Sequence, residues 1–307
     1  MIFMANKKTK QKPNKKKSKL VTTSNKNRLS EEFPFKEKVP ALIELMRIGN
    51  CVMALIAILI GFALSNGTNY SIALIAALSG FFICAGGQAI NDYFDYKIDA
   101  KLSKNKPIPS GRVSRKEALW FSIDLFILGN FLAYSINPLA MNIALAFTFL
   151  LVIYPALMNK VKYLGNFIVA GGTAITFIFG SVATGGISSL VIALAISAFF
   201  ANIAREITKD IQDTKKDSNT KRTLPMIVGN NIAKLFVSAY YLLAIVAGIL
   251  IYSLFLLNAF YLIFILLSSA VFIYSILLLQ KDRAKESQAM AKIGMLFSMV
   301  GFVLILI

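Results

Sequence analysis

Six aspartates carry the chemistry most legible in this chain. They form two triplets, Asp92/Asp95/Asp99 and Asp210/Asp213/Asp217, with one internal spacing and a common offset of 118 residues. Steps of three and four residues bring side chains onto one helix face, so each triplet is a stripe of carboxylates. Like charges one turn apart repel, and both stripes stand where an apolar helix is expected to end, at the pole whose dipole disfavours anions. Folding alone does not call for acids there. A divalent cation reverses the sign of both effects, and oxygen-only ligands on helix ends suit Mg²⁺, which keeps waters and shares its shell with phosphate oxygens. Basic residues gather beside both stripes: Lys97, Lys101, Lys104, Lys106 and Arg112 follow the first, and Arg205 and Lys209 precede the second. Donors of this kind stabilise a departing diphosphate. Arg47 and Asn50, at the inner end of the first apolar stretch, and Lys160 or Lys162, after the fourth, are placed to reach the same pocket. The competing account is a solvated acidic helix end balanced by lysines. Repetition of three positions at one offset favours a paired metal and phosphate site.

The elements that position these residues follow from the apolar pattern. Of 307 residues 57% are hydrophobic, and the mean hydropathy is +0.66. Apolar stretches near the ~20 residues that cross a bilayer as a helix recur at about 42–64, 71–95, 116–134, 138–157, 164–184, 187–208, 231–252, 256–279 and 288–307. None alternates in polarity as a barrel strand does, so the expected fold is an all-α polytopic membrane protein with nine spans. Lys and Arg flank alternate connections only, whereas the connections at 65–70, 135–137, 184–188 and 252–258 carry no charge. Basic loops stay cytoplasmic, which puts the N-terminus and both acidic stripes inside. The stripes end spans two and six, an even separation, so the two halves form a parallel repeat.

Residues 1–38 hold 12 Lys or Arg against 3 Glu and lack apolar periodicity, as expected of a basic cytoplasmic tail ahead of a membrane domain at 39–307. Tail and inside loops account for most of the +18 net charge. No basic stripe interleaved with aromatics suggests nucleic acid. Cys51 and Cys84 lie in apolar spans without ligand spacing. The chain has no histidine, which excludes imidazole zinc sites and histidine proton relays. Asp124 stands alone within the third span, where an acid is a functional candidate or a packing residue. Acids used in transport sit near the bilayer midplane on broken helices, whereas the six lie at one face. Oligomeric state is not readable.

Two segments carry a family resemblance. Residues 88–114, QAINDYFDYKIDAKLSKNKPIPSGRVS, and 205–229, REITKDIQDTKKDSNTKRTLPMIVG, resemble the two signatures of the UbiA family of intramembrane prenyltransferases. The connection from Tyr154 to Asn166 is similar to that family's fourth-to-fifth helix loop. The resemblance spans about residues 40–307. It implies nine helices around a central cavity open sideways to lipid, with Mg²⁺ held between the acidic motifs and a polyprenyl diphosphate bound through it. Asn91, Asp95 and Asp99 match key positions of the first motif and Asp213 and Asp217 those of the second, with Asp92 and Asp210 adjoining; Tyr154 joins the substrate-binding set. Lys106 stands where Arg is commoner and Lys216 where Gly is. The wording is most similar to archaeal members that add a second geranylgeranyl chain to geranylgeranylglyceryl phosphate in ether-lipid synthesis. Quinone-pathway members share the donor site and prenylate an aromatic acceptor instead. With no histidine, an aspartate or a diphosphate oxygen takes the acceptor's proton.

Overall fold

The computed structural model describes residues 35–157, 162–217 and 222–307. The basic tail up to residue 34, Lys160 and Lys221 lie outside the described residues, as do the side chains of Lys162, Lys215, Lys216 and Asp217.

Eleven helices occur among the described residues: α1 (Phe35–Met46), α2 (Ile48–Leu64), α3 (Tyr70–Leu102), α4 (Arg115–Tyr134), α5 (Pro138–Leu157), α6 (Lys162–Val182), α7 (Ser189–Asp217), α8 (Leu224–Val228), α9 (Asn230–Phe255), α10 (Ala259–Gln280) and α11 (Ala284–Leu304). Eight are long and apolar enough to cross a membrane, and α1 with α2 forms a ninth span bent by 47°. Large apolar side chains such as Phe131, Phe149, Leu235 and Leu254 face outward. An exterior of that kind suits lipid, where each helix satisfies its own backbone.

Two differences from the expected spans concern the site. The first span, expected unbroken over 42–64, breaks at Arg47, whose φ of 49° lies in the left-handed region. A branched-chain residue would resist that geometry; here the guanidinium is anchored to Asp92 at 2.5 Å. Helices α3 and α7 also outrun their expected ends, to Leu102 and Asp217, so both acidic triplets lie within helix.

Polar caps set the connections. Asn69 accepts from the amides of Ser71 and Ile72 to open α3, and Ser114 with Glu117 forms a reciprocal capping box on α4. At the end opposite the aspartates, Ser65 donates to Ser181 at 2.6 Å, Asn137 to the Val182 carbonyl at 2.9 Å and Asn258 to the Leu304 carbonyl at 2.7 Å. These bonds tie that far end together across turns.

The packing order decides where the acids stand. Helix α3 packs on α2, α2 on α6, and α6 on α7, so α2 and α6 separate the two acid-bearing helices. Helices α2 and α6 cross tightly near the far end. A Cβ on Gly61 would lie 2.0 Å from the Phe177 carbonyl oxygen, and one on Gly180 would lie 1.9 Å from that of Ile58. Only glycine allows so close a backbone approach. Toward the acidic end the packing loosens: a Cβ on Gly49 or Gly171 would meet nothing within 4 Å. Ile48, Asn50, Val52 and Met53 are exposed, whereas most of α2 from Ala57 onward is buried.

Candidate active site

The first half of the site is built on the last turns of α3. Asp92, Asp95 and Asp99 are all buried, at 5%, 8% and 8% exposure. Carboxylates this far from water need cationic or hydrogen-bonding partners. Arg47, from the break between α1 and α2, reaches Asp92, and Lys106 lies 3.3 Å from Asp92 and 2.8 Å from Asp99. Asn91 donates to Asp95 at 3.3 Å. The structure thus brings together Arg47, Asn91, Lys106 and the first triplet, which sequence alone had grouped.

The loop after α3 holds Lys106 in place. Pro107, Ile108 and Val113 are buried, the last two in a cluster with Ala41, Leu45, Ala89 and Ala118 that pins the loop to α1 and α4. The Ser110 amide donates to the Lys106 carbonyl at 3.0 Å. Arg112, expected among the substrate ligands, binds Glu44 of α1 at 2.7 Å and the Asn105 carbonyl at 2.7 Å. It braces the loop. Lys97 and Asn50 are exposed at the same end.

The second half is built on α7. Asp210 is 1% exposed and accepts from Asn166 of α6, itself 4% exposed, at 2.7 Å. Asp213, one turn on, is half-buried. Arg205 turns toward Glu206 and donates through Nε to Asn202 at 3.2 Å, while Asn202 donates to Thr173 of α6. Lys209 lies 3.5 Å from Glu206. Tyr154 of α5 lays its hydroxyl over Gly165, where a Cβ would come within 2.0 Å, next to Asn166.

Sequence reasoning placed Asn166 only in the family-like connection after α5, and it passed over Asn202 and Glu206. The last two had a signal: they precede Asp210 by eight and four residues and extend the acidic stripe two turns along α7. The pairing of Asn166 with Asp210 had no signal, because it joins two helices across 44 residues.

The donor chemistry fits Mg²⁺. Every candidate ligand is an oxygen, and Mg²⁺ typically takes one or two carboxylates and completes its shell with water and substrate phosphate. Among the described residues no three acids converge into a closed cage.

A bent entry helix, an apolar bundle and two acid-bearing helices held apart by their neighbours define a class of intramembrane enzyme. Residues 54–300 match the model of the UbiA prenyltransferase family, and the chain belongs to that family and is a prenyltransferase. A digeranylgeranylglyceryl phosphate synthase of Methanosphaera stadtmanae is 34% identical over 265 residues, covering 85% of this chain and 97% of that protein. A solved digeranylgeranylglyceryl phosphate synthase aligns with TM-score 0.74 at 33% identity, over 87% of this chain and 98% of the other. A UbiA homologue from Archaeoglobus fulgidus bound to GPP and Mg²⁺ aligns with TM-score 0.62 over 86% of this chain and 99% of the other; at 18% identity that likeness bears on the fold.

Proposed function

We propose that this chain transfers a geranylgeranyl group from geranylgeranyl diphosphate to the free glycerol hydroxyl of geranylgeranylglyceryl phosphate. The observation that carries the reading is near-full-length similarity to relatives of that activity, joined to a buried acidic site flanked by cations at one end of the bundle. Asp95, Asp99, Asp213 and Asp217 act as the principal metal ligands, with Asp92 and Asp210 beside them. Magnesium held there would supply the charge neutralisation that makes diphosphate a better leaving group.

The chain's own residues supply the rest. Arg47 and Lys106 stand beside the first triplet, where they are placed to meet diphosphate oxygens; Arg205 and Lys209 stand beside the second. Asn166 orients Asp210. The loosely packed half of α2 leaves room for the prenyl chain, and the tightly crossed far end closes that space to water. Water must be kept out, because it would capture the allylic cation formed when the C1–O bond breaks. The acceptor oxygen bonds to C1, diphosphate leaves, and the hydroxyl proton passes to a carboxylate or a diphosphate oxygen. The basic connections support a reading with the acidic end and the N-terminus on the cytoplasmic side of the cell membrane.

The test offers the purified chain geranylgeranyl diphosphate with either geranylgeranylglyceryl phosphate or hydroxybenzoate and identifies products by mass. Ether product that disappears on chelation of Mg²⁺ is expected. Product with the aromatic acid alone overturns the acceptor assignment.

A further inference from the structure

We infer that Lys106 is a built-in counter-ion: it occupies the cation position between Asp92 and Asp99 and yields it only when diphosphate offers its ammonium another partner. The inference rests on the metal and diphosphate reading of the site and adds an order to it, in which metal and diphosphate enter together.

Three observations carry it. First, one ammonium contacts both the first and third acids of the triplet, at 3.3 and 2.8 Å, from a side chain that is about one-third exposed. A divalent cation using those same oxygens cannot share the position. Second, the backbone beneath Lys106 is fixed by the buried Ile108 and Val113 and by Arg112 bound to Glu44 and Asn105. Displacement therefore falls to the side chain, a flexible four-carbon stem with three rotatable donors. Third, Arg47 independently pairs with Asp92. When Lys106 withdraws, Asp92 keeps a cation, whereas Asp99 loses the one cation that pairs with it among the described residues.

The exchange is balanced. A diphosphate oxygen gives Lys106 a charge-assisted contact to replace those it leaves, while the Asp99 oxygen it vacates becomes available to metal. Each ligand thereby strengthens the other's binding, and the coupling is reciprocal. A neutral side chain at this position breaks it.

The experiment measures Mn²⁺ binding to the purified full chain by electron paramagnetic resonance with no diphosphate present. Lys106→Met and Lys106→Gln are each expected to bind Mn²⁺ about five-fold more tightly than wild type, and Lys106→Arg about as weakly as wild type. Unchanged melting temperatures verify the fold of each variant. Equal or weaker Mn²⁺ binding by Lys106→Met and Lys106→Gln overturns the inference, as does failure of all four proteins to bind Mn²⁺. Prenyl transfer by the same wild-type preparation tells the two ideas apart: if transfer persists, the counter-ion role alone has failed.

Discussion

Asn166→Leu isolates one contact at the heart of the site. The amide of Asn166 donates to Asp210 over 2.7 Å, and both residues are almost wholly buried. Leucine keeps the branching and number of side-chain heavy atoms, so the substitution opens no cavity and removes the amide that donates to Asp210. Hydrogen bonds to charged groups contribute roughly 1.5–3 kcal/mol, and partners that orient a metal-ligating carboxylate typically affect metal affinity or activity by about 10–100-fold. Two separate estimates thus fall in one range. The assay is initial-rate prenyl transfer at varied Mg²⁺. The expected result is a kcat/KM lower by about 10–100-fold and a correspondingly higher Mg²⁺ requirement. A variant that keeps its melting temperature and stays within about two-fold of wild type at every Mg²⁺ concentration would refute the assignment of Asp210 to the working site.

Gly61→Ala and Gly180→Ala force apart backbones whose added Cβ would sit 2.0 and 1.9 Å from a carbonyl oxygen; each should lower stability by about 1–3 kcal/mol, read as a fall in melting temperature in lipid. Arg112→Lys keeps the charge but loses the planar fork that joins Glu44 to the Asn105 carbonyl. Its transfer rate should drop several-fold, and Glu44→Gln should do the same, which direct phosphate binding by Arg112 does not require. Asp124 is exposed on α4 among lipid-facing side chains, so Asp124→Leu should leave transfer unchanged and hold or raise the melting temperature.

What the sequence discloses here is local, and what it conceals is not. The stripes Asp92/Asp95/Asp99 and Asp210/Asp213 are legible because helix geometry turns a spacing into a face. The spans are legible because lipid imposes a minimum apolar length. Lys106 is legible as a cation near the acids, since its loop follows α3 directly. By contrast, Arg47 gives no hint of its left-handed backbone, which arginine rarely adopts; the long-range pairing with Asp92 accompanies it. Arg112 reads in the sequence as a phosphate ligand, and its contact with Glu44, 68 positions away, is not legible there. The Asn166 contact and the Gly61 crossing depend on which helices become neighbours, and hydropathy carries little of that information.

The glycine crossing and the serine and asparagine ties at the far end make the bundle a sleeve stitched shut at one end. On the proposed reaction, a substrate bearing one long hydrocarbon tail enters that sleeve and a product bearing two must leave it. The stitched end cannot part, so the doubled tail has to slip out sideways, where the helices are only loosely apposed. The surrounding bilayer is then both the medium in which the lipid is made and the sink that draws it away.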